Sequence, residues 1–499
     1  MEHLGRDADV ERERPIQHEH HHLVRTHRRP SPQPVAINLL RQNPRTYWHS
    51  CHWRVSSDHS TLSGPSSRAV QCRVDRSSMP RPTVPPVVAF ASSAIAFMTV
   101  MAAAGAPSAL LVVYQQHWQF PDSELTVAFA MYALALLLAL LGIGSLSDRI
   151  GRRPVLVAAL ALQAVAMVVF LIAPNIGVII VARALQGFAT GAATSAFSAY
   201  IAEVAPAARK KIAALIVSIA SVAGLGIGVV LTGVAIQFAA APAAVVFGAA
   251  LAIFVIAIVV TAASPETVGG RQGIGDTLVP RIGVPSAART ELARTAPGMI
   301  GIWMSAGLIL GLGASIVHQA LHITSGAALG LVVAAQPLAA AVSALVLGPL
   351  MPPRRFMLAG YVAVLAGVPL EAYSFAAGLA SLIICGAIVT GLGFGAVFSS
   401  TLGVLVPLTR SQERAKLFSA VYVVAYLAYG IPTIAAGFLS DAIGLVPAAI
   451  VYAAVTVAIT AAGLIVSLAR TGSTSRDALS VHTQEARAHD VRASTSGTG

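Results

Sequence analysis

Charge is scarce in this sequence. Of its 499 residues only 11% are Asp, Glu, Lys or Arg, only 6% are aromatic, and only three are cysteine, at Cys51, Cys72 and Cys385. Three cysteines so placed build no disulfide framework and show no metal-ligand spacing, so neither a metal nor a cofactor is expected. No Gly-x-x-x-x-Gly-Lys-[Ser/Thr] loop occurs, which leaves an ATP-driven pump only if another subunit carries the ATPase. A channel needs a filter or a charged pore ring, and neither is present. An enzyme needs convergent catalytic groups, and the apolar segments hold almost no ionisable residue to supply them. No signal peptide opens the chain, because its first apolar run comes far too late.

What the chain has in abundance is apolar surface: 56% of residues are hydrophobic and the mean hydropathy is +0.74. A water-soluble protein of this size has no core large enough to hide that much. A lipid bilayer solves the problem, and 42 glycines suit membrane helices that pack backbone to backbone. The net charge of +12 would suit nucleic acid if it formed a patch, but the basic residues lie in tails and short loops. No nucleic-acid partner is expected; the partners are the bilayer and a small-molecule substrate.

Residues 1–83 are polar, rich in Arg, His, Ser and Pro, and lack apolar periodicity, so they read as a disordered tail. Its His18–His22 tract reads as solvated low complexity, with metal binding as the alternative, and Met79 offers a second start. From Val84 onward, apolar stretches of about 20 residues, the length that crosses a bilayer, alternate with short polar breaks. Twelve are expected, at 86–114, 124–144, 154–173, 176–203, 212–235, 243–263, 298–320, 327–350, 356–377, 379–406, 417–438 and 445–468. A longer break at 264–297 separates a six-helix half at 84–263 from another at 298–470, and 471–499 forms a polar tail. The expected fold is therefore all-α, a polytopic membrane protein of twelve transmembrane helices in two halves.

Among the loops, one alternating set carries every basic residue: Arg149, Arg152 and Arg153, then Arg209, Lys210 and Lys211, then Arg271, Arg281, Arg289 and Arg294, then Arg354 and Arg355, then Arg410, Arg414 and Lys416. The other loops have none. The positive-inside rule then puts both termini in the cytoplasm of a multi-pass cell (inner) membrane protein.

The loop after the second span reads Gly144-Ser-Leu-Ser-Asp148-Arg149-Ile-Gly151-Arg152-Arg153-Pro154. Gly151 supplies the freedom of a sharp turn, and Pro154 suits the first turn of the next helix. Asp148 can pair with Arg149 or Arg152, or face the positive N-terminus of another helix. The pattern G-x-x-x-D-[RK]-x-G-[RK]-[RK] resembles the signature of the major facilitator superfamily. That resemblance covers 84 to about 470 and implies a functional monomer of two halves with inverted repeats. It also implies a cytoplasmic latch at Gly144, Asp148, Arg149, Gly151, Arg152 and Arg153. Near the end of the eleventh span, Gly437-Phe-Leu-Ser-Asp441-Ala-Ile-Gly444 repeats the frame of 144–151 on the opposite face, as inverted repeats would place it. The loop Gly348–Arg355 keeps a glycine and two arginines but lacks the acid.

The fourth span opens Arg183-Ala-Leu-Gln186-Gly187, with Thr190 and Thr194 following at helical spacing. A charge about 10 Å inside the membrane must face protein or water. The resemblance to the exporter pattern R-x-x-Q-G implies that Arg183, with Gln186 and Thr190, lines the central cavity and serves proton coupling; a structural pairing is the alternative. Glu203, in Tyr200-Ile-Ala-Glu203-Val-Ala-Pro206, matches a family pattern that braces the inner gate. Gly224, Gly226, Gly228 and Gly233 resemble a glycine-rich antiporter motif without its Gly-Pro pair, which favours simple close packing. Glu371 is the one acid well inside a span, and reads either as a proton carrier or as an interfacial structural acid. The resemblance implies substrate contacts from spans one, four, seven and ten, with Tyr114, Gln115, His318, Gln319 and Thr390 as the candidates. Tyr422, Tyr426 and Tyr429 form a stripe ahead of Pro432, either a gate or plain packing. The expected function is secondary transport of a small organic solute by alternating access, as proton-coupled export, with an uptake symporter or uniporter, or a non-transporting membrane subunit or channel, as alternatives.

Overall fold

The computed structural model describes residues 84–143, 146–268, 283–410 and 413–469. The tail expected at 1–83, the latch residue Gly144 and the tail at 471–499 lie outside the described residues, as do residues 269–282 of the central break. Among the described residues, eleven single helices are long and apolar enough to cross a bilayer, and a bent helix pair makes a twelfth crossing. They are α1 (Pro86–Trp118), α2 (Asp122–Ile143), α3 (Arg152–Leu171), α4 (Ile176–Val204), α5 (Lys210–Phe238), α6 (Pro242–Ala263), α7 (Ser286–Gly311 continued by Gly313–Gln319 after a 50° bend), α8 (Gly326–Leu350), α9 (Pro353–Ala377), α10 (Ala380–Leu408), α11 (Arg414–Ile443) and α12 (Leu445–Ala469).

Local chemistry sets the helix ends. Proline opens α1, α6 and α9, where its missing N–H has no helical acceptor to lose. Asn175 caps α4 by accepting from the Val178 N–H at 3.2 Å, and Ser325 caps α8 by accepting from Ala328 at 3.3 Å. α1 is interrupted at Ala106, directly ahead of Pro107. Outward faces are apolar, as with Ile256 at 63% and Val259 at 64% exposure on α6, which only lipid can cover favourably.

One expectation needs correction. The break expected at 264–297 is shorter, because α7 begins at Ser286 and runs through Pro297. The added turns are amphipathic: Ala288, Leu292 and Thr295 are buried while Arg289 and Arg294 are exposed. Hydropathy alone does not register so polar a first stretch.

Within the first half α2 and α3 pack on α4, α3 on α6 and α1 on α5; within the second, α9 packs on α10, α8 on α10 and α7 on α11. The halves meet through α2 against α11 and α5 against α8. Small residues permit this. Gly224 and Gly228 lie against Met98, Met101 and Ala102 of α1, while Gly226 and Gly233 lie against Leu338, Gly326 and Gly330 of α8, which is the close packing expected of the α5 glycines.

Candidate functional site

Between the halves lies a cavity of about 180 Å³. The first half contributes Met101, Tyr132 and Thr190 among others, and the second contributes Trp303, Gln336 and Tyr426. Its second-half wall is aromatic. Trp303 sits 5.4 Å from the Phe394 ring centroid, 5.2 Å from Tyr426 and 5.7 Å from Tyr429. Across the seam, Phe129 of α2 packs on Tyr429 of α11 at 4.8 Å. No Asp, Glu, Lys or Arg is among the lining residues. The stripe Tyr422, Tyr426 and Tyr429 thus faces the cavity rather than lipid.

Arg183 does not line this cavity, contrary to expectation. It is 1% exposed and lies behind Tyr132, its guanidinium 4.4 Å from that ring centroid. The reason lies in α1. Pro107 has no N–H to donate back to the Ala103 carbonyl, and the side chains of α4 supply donors instead. Gln186 Nε2 donates to the Ala103 carbonyl at 2.7 Å, and Arg183 Nη1 donates to the Ala104 carbonyl at 3.1 Å and to Gln186 Oε1 at 2.8 Å. Arg183 and Gln186 therefore brace the break in α1. Only Thr190 of this set reaches the cavity, with its hydroxyl donating to the Gln186 carbonyl at 2.7 Å and accepting from Gln163 Nε2 at 2.8 Å.

At the face bearing the arginine loops, Arg152 pairs with Asp148 and reaches Glu203 Oε1 at 3.3 Å and Ser147 Oγ at 2.6 Å. Glu203 Oε2 also accepts from the Thr267 hydroxyl at 2.5 Å. Glu266, which the motif does not contain, accepts the backbone N–H groups of Arg152 and Arg153 at 2.9 and 3.1 Å, capping α3. Its only signal in sequence is an acid following α6 beside a helix that starts with two arginines. Gly151 has φ +108°, and a Cβ there would lie 2.5 Å from Glu266 Oε2. Arg153 Nη1 donates to the Ser264 carbonyl at 3.5 Å. No contact of the Arg149 side chain is resolved among these interactions. None of the pairs named here reaches the second half.

The opposite face is where the halves are joined. Asp441, at the end of α11, accepts the N–H groups of Asp122 and Ser123 at 3.0 and 3.3 Å, at the N-terminus of α2. Ser440 Oγ donates to Asp122 Oδ2 at 2.5 Å, and Gln115 Nε2 donates to Asp122 Oδ1 at 2.7 Å. Ser315 of α7 donates to Gln115 Oε1 at 3.2 Å, and Ser325 to Gln237 Oε1 at 3.0 Å. The sequence echo carries over to backbone: Gly444, the counterpart of Gly151, has φ +93°, a conformation that disfavours any Cβ.

The five expected substrate contacts are not among the residues lining the cavity. Tyr114 stacks on Trp118 at 4.8 Å, and Gln115 belongs to the junction at Asp122. His318 contacts the Ile323 carbonyl at 3.3 Å through Nδ1, and Gln319 is exposed. Thr390 is fully buried against Gly367 of α9. Span membership does not tell which way a side chain turns, and Tyr132, Trp303, Gln336 and Phe394 were missed for the same reason. Trp303, which unlike Trp118 lies mid-span, was the available signal.

Residues 92–324 match the family model of the Major Facilitator Superfamily. A search of curated proteins finds no match. Among solved structures the chain is similar to a bacterial homologue of the human lysosomal transporter Spinster, in an inward-facing and unoccupied conformation. The identity is 13% and the TM-score 0.63, over 77% of this chain and 97% of that one. It is also similar to a variant of the nucleoside transporter NupG, at 12% identity and TM-score 0.60, over 76% of this chain and 99% of the other. At such identities the likeness is one of fold.

Proposed function

We propose that this chain, whose residues 92–324 match the family model of the Major Facilitator Superfamily and whose fold is similar to that of solved transporters, is a proton-coupled exporter of a small, uncharged aromatic solute. It works as a monomer in the cell membrane with both termini in the cytoplasm. One observation carries the reading: a cavity lined by both halves, aromatic on one wall, without a charged lining residue, and sealed on the face away from the arginine loops.

The basic face is the cytoplasmic one by the positive-inside rule, so the conformation described here is open inward. A charged solute would need a fixed counter-charge in a cavity this apolar; an uncharged planar solute needs ring faces and one or two polar partners. Trp303, Phe394, Phe398 and Tyr426 supply the faces, Thr190 and Gln336 the polar groups. Rocking of α2 against α11 and α5 against α8 then exposes the cavity to each side in turn.

The test uses the purified full chain and three probes of one ring size: acetanilide, benzoate and benzyltrimethylammonium. Trp303 fluorescence should respond to acetanilide, and a Trp303→Phe variant should lose that response. A response to either charged probe instead would overturn the substrate class. Acetanilide flux in proteoliposomes, with and without an imposed pH gradient, tests the coupling; identical flux in both conditions rules out proton drive.

A further inference from the structure

We propose that Glu371 is the proton-carrying residue of the transport cycle, held in the seam between α9 and α10 behind the cavity wall rather than in the cavity. The assignment rests on the proton-coupled reading above.

Glu371 is 1% exposed, and neither carboxylate oxygen has a hydrogen-bond partner. Thr390, on the facing helix, is fully buried with its hydroxyl beside the Glu371 carboxylate, the two groups approaching each other without closing a hydrogen bond. Both border one close approach of the two backbones. A Cβ on Gly386 would lie 2.7 Å from Glu371 Cγ, and one on Gly367 would lie 2.6 Å from the Thr390 nitrogen. Two unsatisfied polar groups in a glycine-lined seam are what a site that changes its protonation or hydration during a cycle would leave behind.

Among the described residues of the helices packed around it, none places a cation beside Glu371. Of the groups on α10, Cys385 is exposed and Ala380–Leu405 contains no Asp, Glu, Lys, Arg or His. On α9 itself Arg354 and Arg355 stand at the opposite end, Tyr361 faces Gly298 of α7, and Tyr373 is exposed. On α7, Arg289, Glu291 and Arg294 lie at the basic end, and His318 is engaged by the Ile323 carbonyl. An ionised carboxylate in this seam meets neither water nor a cation, so the closed seam accommodates only the neutral acid. Release of the proton leaves a carboxylate that must part α9 from α10 to reach water.

α10 connects that event to the solute. Phe394 follows Thr390 by one helical turn on the same helix and packs against Trp303 at 5.4 Å. Displacing α10 therefore moves an aromatic wall of the cavity. One proton is taken up by the carboxylate and one is given up on the other side; no other group changes.

The test reads conformation, so it needs no identified solute. A single cysteine replacing Leu140, at the inner end of the cavity, is labelled with a membrane-impermeant maleimide in vesicles of known sidedness, with native Cys51, Cys72 and Cys385 replaced. The measured quantity is the labelling rate from the basic face relative to a denatured control, across acidic to alkaline pH. Wild-type accessibility should fall by about tenfold on ionisation. Glu371→Gln, which mimics the neutral acid, should hold the acidic-pH value throughout, and Glu371→Asp should restore the dependence. If the wild type responds to pH and Glu371→Gln responds equally, the assignment to Glu371 is overturned while proton coupling stands. If the wild type shows no response and no gradient-driven flux, the coupled reading falls and this assignment with it.

Discussion

Replacing Asp441 by Asn tests whether the junction between α11 and α2 sets the balance between inward-open and outward-open states. The carboxylate accepts two N–H groups at the start of α2, at 3.0 and 3.3 Å, where the helix dipole favours negative charge by about 0.3–1 kcal/mol at exposed positions. Hydrogen bonds to a charged acceptor add to this, but Asp441 is exposed, so solvent screening takes much of it back. The nearby Asp122 carboxylate, held by Ser440 and Gln115, reduces it further. A net loss of about 1 kcal/mol is reasonable, which is about a fivefold shift toward the outward-open state. Thr126 is the reporter, fully buried beneath Gly437 of α11. A Thr126→Cys probe should label from the outside about fivefold faster in the Asp441→Asn background. An unchanged rate, with unchanged thermal stability, would refute the idea that this carboxylate holds the outer face shut.

Two further predictions address the inner face and the α1 break. Asp148→Asn should act in the opposite direction, slowing outside labelling of the same probe and lowering acetanilide turnover several-fold, and the double variant with Asp441→Asn should return toward wild type; additive loss instead would separate the two carboxylates. Arg183→Ala leaves the Ala104 carbonyl and Gln186 Oε1 without their donor and should cost about 2–4 kcal/mol, read as a lower melting temperature of the purified protein. Arg183→Lys should recover only part, since an ammonium lacks the planar fork.

Periodicity and hydropathy made the twelve crossings legible, because a bilayer imposes one length on every helix and each break is marked by proline, glycine or charge. Ser286–Pro297 escaped because its apolar positions form a stripe instead of a run. Arg183 illustrates a different limit. Its sequence neighbourhood identifies a buried cation, but what satisfies it is the Ala104 carbonyl at the break in α1, 79 positions away, together with Gln186 Oε1 and the Ala128 carbonyl of α2. The aromatic wall around Trp303 assembles from α7, α10 and α11, so no local pattern announces it.

The repeated frame Gly-x-Leu-Ser-Asp-x-Ile-Gly at 144–151 and 437–444 was legible as letters, yet its meaning needed geometry. The second copy closes α11, the described part of the first forms a short helix at Ser147–Ile150 after α2, and each final glycine turns the chain through positive φ into the next helix. The carboxylate three residues before that glycine is thereby set at the mouth of the seam, on opposite faces for the two copies. In this conformation Asp441 is docked on the N-terminus of α2, while Asp148 is held back by Arg152 within its own half. By the symmetry of the repeats, the counterpart dock proposed for Asp148 is the N-terminus of α11, which begins at Arg414. Two carboxylates with one geometry cannot both be docked if the halves rock as rigid bodies, since closing one face opens the other. If the two copies dock alike, as their shared frame suggests, neither conformation is favoured so strongly that differential binding of a solute cannot reverse the balance.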